Sequence, residues 1–236
     1  SEDYQGAIVD CSKAIEINPN NTAFYHLRGS ARFDFGDYHG AFADCNTAIS
    51  IAPEHADSCR LRGAIKILSE DYAGAISDFK HAIRINPKDA DSYFLRGNTK
   101  LMRENYLGAL DDFNMAINID SQNALYYHWR GHCKCLLEDY EGAIINFEKA
   151  IEINPKDSDF HLMLAVAKFE LGDYLKAYHE CDITLQIDSE SSNALGLRRE
   201  AWRAYEIWGD VSQRGALLVL VRYLWKSLKR IFRSLY

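Results

Sequence analysis

Catalytic sequence motifs are missing from this chain of 236 residues. It contains no phosphate-binding loop, no nucleophile elbow and no His-Glu-x-x-His sequence, which are local signatures of large enzyme classes. We therefore predict a non-enzymatic segment that needs no cofactor. An apolar run long enough to span a membrane is also missing, because Arg222 interrupts the stretch that ends at Val221.

Disulfide signatures are missing as well, although the chain has six cysteines. Cys133 and Cys135 lie two positions apart on a predicted helix, where they cannot bridge comfortably. Cys11, Cys45 and Cys181 stand where other parts of the sequence have phenylalanine, which predicts core packing. We expect a reducing compartment and a cytoplasmic location. The net charge of −7 argues against a general nucleic-acid-binding protein.

Proline is scarce, and its positions indicate how the chain is organised. Pro19, Pro53 and Pro87 follow one another at a spacing of 34 residues, and Pro155 comes after two further periods. Glycine, tyrosine and alanine follow the same period, at Gly6, Gly40, Gly74, Gly108 and Gly142, at Tyr4, Tyr38, Tyr72, Tyr106, Tyr140 and Tyr174, and at Ala7, Ala41, Ala75, Ala109, Ala143 and Ala177. A period of this length is typical of stacked repeat proteins.

Each period predicts two helices. In the unit 90–123, apolar residues at helical spacing predict helices over 91–103 and 106–119, separated by a break at 104–105. Asp or Asn precedes the tyrosine of each second helix and is a good N-cap residue, at Asp3, Asp37, Asp71, Asn105, Asp139 and Asp173. The residue before each proline is pushed out of the α region, which ends the second helix.

Small residues predict close packing of the two helices in each pair. Gly97 on the first helix and Ala109 on the second let the axes approach to about 8–10 Å, and Phe113 fills the space beside them. Because one pair cannot bury its apolar face alone, neighbouring pairs must stack.

This pattern resembles the tetratricopeptide repeat (TPR), through Leu95-Arg96-Gly97, Tyr106, Ala109, Ala116 and the turn that follows. The resemblance implies an all-α, right-handed α-solenoid of stacked helix-turn-helix repeats, and we expect a long C-terminal capping helix after them. We expect a half repeat at 1–21, full repeats at 22–55, 56–89, 90–123, 124–157 and 158–191, a degenerate extra helix at 192–210 and a distinct segment at 211–236.

The ends of the array depart from the pattern. The chain opens inside a unit at Ser1 without methionine, from which we expect a piece of a longer protein. In the fifth repeat, Leu164 and Ala165 replace Arg-Gly, and Lys176 replaces the second-helix glycine. In the extra helix, Arg199 occupies the tight glycine position, which disfavours normal stacking.

Charged residues also recur with the period. The arginines before the first-helix glycine are Arg28, Arg62, Arg96 and Arg130, and the aspartates of the second helix before each of them are Asp10, Asp44, Asp78 and Asp112. Acid and base change together from one repeat to the next. Leu164 replaces the arginine where the preceding second helix has Asn146 in place of aspartate, and the arginine returns as Arg198 where the preceding second helix has Glu180. We predict inter-repeat salt bridges Asp10–Arg28, Asp44–Arg62, Asp78–Arg96 and Asp112–Arg130. The alternative is that these arginines bind an acidic ligand.

The TPR resemblance implies a concave groove lined by first helices. The groove residues we expect to contact a partner are His26, Arg60, Phe94, Asn98, His128, Trp129, His132 and Leu162. A chaperone-tail clamp and an asparagine ladder of the sugar-transferase type are both disfavoured, because the required lysines and asparagines are absent from those positions. An apolar, aromatic groove suits a helix or an extended apolar peptide. The alternative is that many of these side chains belong to the core between helices.

One helix carries a possible metal-ligand pattern. His128, His132 and Cys135 fall on one helical face, but no fourth ligand and no Cys-x-x-Cys pair is present. We therefore predict no metal site.

The last 26 residues change character and carry six basic residues but no acidic one. If they are helical, Arg222, Lys226, Lys229, Arg230 and Arg233 lie opposite an apolar face that includes Trp225 and Phe232. Segment 211–236 then caps the array, lies on a membrane surface, or docks on another protein or a second copy.

From these patterns we expect a protein-interaction scaffold that binds a partner protein or peptide in the groove. The alternative is a membrane-associated assembly factor that uses the basic segment for peripheral membrane contact. An oligomer is compatible with either function.

Overall fold

The computed structural model describes residues 3–209, which form twelve α-helices and no strand. The helices are α1 Tyr4–Ile17, α2 Thr22–Phe35, α3 Tyr38–Ile51, α4 Ala56–Leu68, α5 Tyr72–Ile85, α6 Ala90–Met102, α7 Tyr106–Ile119, α8 Ala124–Leu136, α9 Tyr140–Ile153, α10 Ser158–Leu171, α11 Tyr174–Ile187 and α12 Ser192–Trp208. The all-α prediction is confirmed. Segment 211–236, with its predicted membrane-contact residues, lies outside the described residues.

The chain divides into two compact units, residues 1–122 and 123–236. Unit 1 contains α1 to α7, and unit 2 contains α8 to α12. We call the even-numbered helices first helices and the odd-numbered helices second helices. Within a unit each helix packs against the next, and successive first helices also touch each other. The first helices therefore form one face of each unit, called here the first-helix face.

Second helices begin with a capping interaction that explains the repeated glycine. The Asp71 carboxylate accepts a hydrogen bond of 2.9 Å from the Gly74 N–H, and a Cβ added at Gly74 would lie 2.1 Å from Asp71 Oδ2. Glycine is favoured at this position because a larger residue would displace the capping carboxylate. In α11 the glycine is replaced by Lys176, the capping bond is absent, and Lys176 Nζ contacts Asp173 Oδ2 at 3.2 Å instead.

The predicted close packing inside a pair is present. A Cβ on Gly97 would lie 2.8 Å from Phe113 Cε1, and both Ala109 and Phe113 are fully buried. Where cysteine replaces phenylalanine the side chain still packs inside, since Cys45 and Cys181 are fully buried. Cys11, on α1, is only partly buried.

The turn from first to second helix uses a left-handed residue in every repeat. Gly36 and Gly172 have φ of 91° and 92°, and Glu70, Glu104 and Glu138 have φ between 59° and 61°. Glycine adopts this region with the least strain. The three glutamates are held there by backbone hydrogen bonds at the helix end, such as those from the Glu104 N–H to the Leu101 carbonyl and from the Asn105 N–H to the Lys100 carbonyl, both 2.9 Å.

Candidate partner-binding faces

The predicted pairing of the ion pairs is wrong. Arg62 donates to Asp78, in the second helix of its own repeat, at 2.9 Å from Nε and 2.6 Å from Nη2. Arg28–Asp44 and Arg96–Asp112 repeat this geometry. Asp10 is 81% exposed and contacts Lys13 at 3.5 Å rather than Arg28. The close approach of the two helices within one pair brings the acid next to its own arginine.

A second base in each rung was not predicted. Lys66 Nζ lies 2.8 Å from Asp78 Oδ2, and Lys100 Nζ lies 2.7 Å from Asp112 Oδ2. The signal was present in the sequence, because a basic residue recurs with the period at Arg32, Lys66, Lys100, Lys134 and Lys168. We call each acid with its two bases a rung. The arginines of these rungs serve the fold, so the alternative of an acidic ligand is not supported.

Two repeats in unit 2 show that acid and arginine do not change together inside a repeat, which removes the basis of the predicted inter-repeat pairing. In the fourth repeat Asn146 accepts from Arg130 Nε at 2.6 Å and donates to the Gly142 carbonyl. In the fifth repeat, where Leu164 replaces arginine, Glu180 contacts His161 Nδ1 at 3.0 Å and Lys168 Nζ at 2.8 Å. Each substitution is therefore compensated inside its own repeat.

The first-helix face of unit 1 begins with two histidines. The His26 and His55 rings are 5.1 Å apart, and the buried Ser58 hydroxyl lies 3.4 Å from His26 Nδ1 and 2.9 Å from His55 Nδ1. Burial lowers the pKa of His26, and the neighbouring His55 lowers it further. His26 is therefore neutral near pH 7.

Arg60 joins α4 to the start of α6. Its guanidinium contacts Asp57 at 2.9 Å, Asp89 at 3.3 Å and Asp91 at 3.4 Å. Burial would lower the pKa of Arg60, but the hydrogen bond to Asp57 and the charges of Asp89 and Asp91 leave it raised. The predicted cationic point of the groove is thus already neutralised by three aspartates.

Two further predicted residues of unit 1 lie on α6. The Phe94 ring is 6.1 Å from the core residue Phe113, so Phe94 belongs partly to the interior. Asn98 Oδ1 is buried and has no hydrogen-bond partner among the described residues. A buried amide oxygen of this kind is uncommon, which makes Asn98 the more informative residue for binding.

In unit 2 the predicted residues form an aromatic and imidazole cluster. Trp129 lies between His128 and His132, with ring centroids 5.8 Å and 5.5 Å away. His128 also contacts Phe147 at 5.7 Å and Phe160 at 5.0 Å, so it packs against the core. Leu162 is half-buried on α10, the next first helix. The structure thus brings His128, Trp129 and His132 together.

The two histidines of this cluster have an unusual polar environment. Nδ1 of His128 and Nδ1 of His132 are buried, and neither has a hydrogen-bond partner in the described part of the chain. Burial lowers the pKa of both imidazoles, and for His128 the neighbouring His132 lowers it further. Both rings are therefore neutral at pH 7.

Neither a cluster of metal-ligating side chains nor a membrane-spanning helix occurs in the described part of the chain. Within residues 3–209, no group of three or more histidine, cysteine, aspartate or glutamate side chains is arranged to hold a metal ion. In the same range, no helix combines the length and apolar character required to cross a membrane.

Comparison with known sequences identifies the repeat. Three family models, each described as tetratricopeptide repeat, match the chain: one at residues 79–111 and 146–179, one at 124–157 and one at 22–55. Together these matches cover about half of the chain. No curated protein sequence matches it.

Solved structures of repeat proteins superpose on the chain. YrrB, a TPR protein with an unusual peptide-binding site, has a TM-score of 0.68 at 20% identity, over 80% of this chain and 97% of YrrB. PilF of Pseudomonas aeruginosa has a TM-score of 0.69 at 16% identity, over 88% and 97%. MamA of Desulfovibrio magneticus RS-1 has 0.66 at 16%, over 72% and 97%. At these identities the likeness concerns the fold. Family matches, the repeat period and paired helices agree: this chain is a tetratricopeptide repeat protein.

Proposed function

We propose that the protein is a non-enzymatic interaction scaffold that binds a peptide or helix of a partner protein on a first-helix face. The observation that carries the proposal is the cluster of His128, Trp129 and His132 in unit 2. It combines a large aromatic surface with two buried ring nitrogens that lack partners among the described residues. Aromatic side chains in partly desolvated sites supply much of the binding energy at protein interfaces.

Several features support this choice of face. Neutral imidazoles beside a tryptophan favour an apolar or uncharged segment over a strongly charged one. In unit 1, Asn98 Oδ1 is buried without a partner among the described residues, and rotation of this side chain would let the oxygen accept from a partner's backbone N–H. The similar fold of YrrB, which has a peptide-binding site, makes peptide binding a reasonable expectation for this chain.

The test uses variants of the face that leave the core intact. Phe94 and His128 contact buried phenylalanines, so their loss would disturb folding. We choose Trp129→Ala/His132→Ala instead. The matched control is Ile145→Ala/Ile183→Ala, which removes side chains 67% and 37% exposed on second helices of the same unit.

Each protein is immobilised and used to capture partners from native lysate. A synthetic peptide from the captured partner is then titrated against the full chain. We expect the control to bind like the wild type and the face variant to bind at least about ten-fold more weakly, since truncated interface anchors cost about 1.4 kcal/mol or more. Equal affinity for all three proteins would remove the first-helix face of unit 2 as the binding site.

A second candidate function is membrane-associated assembly through segment 211–236. It is favoured by six basic residues without an acidic one and by Trp225 and Phe232. Co-sedimentation with anionic vesicles tests it on the full chain and on a chain ending at residue 210. If both pellet equally, the segment does not bind membranes.

A further inference from the structure

One helix near the end of the described chain has an uncovered apolar face. The α12 helix packs on α11 as earlier first helices pack on the preceding second helix, and its Ala194 and Ala201 are fully buried. Leu195 and Trp202, two turns apart, are 44% and 42% exposed. The residues equivalent to Leu195 in three earlier repeats are almost fully covered, with exposures of 8% at Tyr93, 9% at Tyr127 and 7% at His161. In those repeats a second helix follows the first.

We propose that residues 210–236 fold back over this open face of α12 in the same molecule and close unit 2. The chain continues directly from the helix end, and 27 residues remain after Gly209. The open face of α12 and the segment proposed to cover it are thus consecutive in the chain, just as the first and second helices are in every complete repeat.

The α12 helix ends at a glycine, where the chain can change direction. Gly209 has φ of 62°, and the turns after the five preceding first helices also contain a residue with positive φ. In those five turns the left-handed residue precedes the second helix, which runs back along the first. Gly209 lies three residues beyond the position equivalent to Gly36 and Gly172, and its ψ of −169° differs from their values of 2° and 10°. Its conformation is one that glycine accepts without strain.

The remaining sequence has the apolar surface required. Its apolar residues recur at helical spacing, at Leu217, Val221, Leu224, Trp225, Leu228, Ile231, Phe232 and Leu235. A helix of 26 residues would extend about 39 Å, against about 26 Å for the 17 residues of α12. The segment is therefore long enough to cover Leu195 and Trp202 along the whole of α12.

The cover differs from an ordinary second helix for two reasons. Arg199 replaces the glycine that permits the closest approach, so the segment lies farther from α12. Arg214 stands at the position, relative to Arg198, where the five full repeats have Asp, Glu or Asn. Arg198 instead contacts Asp182 at 2.5 Å and the Tyr178 hydroxyl at 2.8 Å on α11. In the proposed contact through Leu195 and Trp202, the basic residues of the segment would lie on the side away from α12.

Limited trypsin digestion of the full chain tests this arrangement, because the segment contains six trypsin sites. Cleavage after Lys226, Lys229 and Arg230 is followed by mass spectrometry in the wild type and in Leu195→Asp/Trp202→Asp. We expect these bonds to be cut at least about ten-fold faster in the variant, because a charge on α12 releases the cover and cleavage follows the open population. The single variant Leu195→Asp removes no ring contact and should show the same direction.

The matched control is Leu107→Asp/Ile145→Asp, whose side chains are 71% and 67% exposed on second helices. It should be cut at the wild-type rate, and circular dichroism should show equal helix content in all proteins. Equal cleavage in wild type and variant overturns the proposal. If the protection of the segment from trypsin is lost on about 100-fold dilution, the segment covers α12 of a second copy and not its own α12. Protection that appears only with anionic vesicles would assign the segment to a membrane.

Discussion

Each buried aspartate of unit 1 rungs is held by two bases, and the cost of removing it follows from burial. Asp78 is 4% exposed and contacts Arg62 and Lys66 at 2.6 Å and 2.8 Å. The hydrogen bond to Asp78 raises the pKa of Arg62, which outweighs the effect of burial. Deleting one partner of a buried ion pair strands the remaining charge, at a cost of about 3–5 kcal/mol.

This difference in burial yields the first prediction. We expect Asp78→Ala to lower the free energy of unfolding by about 3–5 kcal/mol and Asp10→Ala by less than about 0.5 kcal/mol, because Asp10 is exposed. Chemical denaturation followed by circular dichroism measures both. A large loss in Asp10→Ala would restore the inter-repeat pairing that the structure contradicts.

Thiol reactivity gives the second prediction. Burial raises the pKa of Cys45, Cys135 and Cys181 to about 12 and that of Cys133 to about 11. The thiolate is the reactive form, so these cysteines should be inert near pH 8. Burial also raises the pKa of Cys59, which is fully covered, and that of Cys11, but only Cys11 and Cys135 are partly exposed. Because the pKa of Cys135 is raised to about 12, we expect only Cys11 to react quickly with Ellman's reagent in the native protein.

The control for this measurement is the denatured chain, in which all six thiols should react. A native fast phase of two or more thiols would contradict the burial seen here. Mass spectrometry of the labelled peptide identifies the residue.

The buried histidines predict how stability depends on pH. Burial lowers the pKa of His128 in the folded protein below the value of about 6.5 in the unfolded chain. Between these two pKa values the unfolded chain binds more protons, so stability is fully present above about pH 6.5 and falls as pH decreases. His26 and His132 act in the same direction.

We expect His128→Phe to reduce this pH dependence. Phenylalanine is the residue found at the equivalent position of the preceding repeat, Phe94. The substitution also removes a buried nitrogen that has no partner among the described residues, which should stabilise the protein by about 1 kcal/mol at neutral pH. Melting temperatures near pH 7.5 and pH 5.5 provide the comparison. A wild-type difference between the two pH values that stays unchanged in the variant would contradict the assignment.

At the scale of the helical pair, the turn between first and second helix stores strain. Glu70, Glu104 and Glu138 hold positive φ at the position where the first and fifth repeats have glycine. A side chain in this region costs about 1 kcal/mol relative to glycine. The protein therefore contains its own comparison between strained and unstrained turns.

We predict that Glu104→Gly raises the free energy of unfolding by about 0.5–1 kcal/mol, because relief of strain exceeds the added freedom of the unfolded chain. Asp111→Gly within α7 is the control, and it should lower stability by about 1 kcal/mol. Thermal unfolding of both variants measures these changes in stability. Destabilisation by Glu104→Gly would mean that the glutamate makes a contact worth more than the strain.

At the scale of the molecule, stability comes from contacts between neighbouring helices within each unit. In unit 1 the α1 helix has no buried residue, whereas Ala41 and Ala75 at the equivalent positions of α3 and α5 are fully buried. We predict that hydrogen exchange is at least about ten-fold faster in α1 than in α3 and α5. Equal exchange rates would show that α1 is covered in solution.

The sequence by itself determined the repeat and the place of its helices, because these depend on local chemistry. Caps, prolines, the glycine of each first helix and the alanine and phenylalanine opposite it all recur within one repeat unit. The positions of α6 and α7 and the packing of Phe113 on Gly97 followed from such signals.

Only the tertiary structure decided which side chains meet across helices. Arg28, Arg62 and Arg96 each have one acid in the second helix before them and another in the second helix after them, and both pairings are compatible with the repeat. Helix contact selected the acid that follows, as in Arg62–Asp78. Packing also gave the predicted groove residues different roles. Phe94 and His128 lie partly in the core, and Arg60 is neutralised by aspartates. Asn98 and His132 keep polar atoms without partners among the described residues. Such choices depend on the relative placement of neighbouring helices, which a repeated local pattern does not specify.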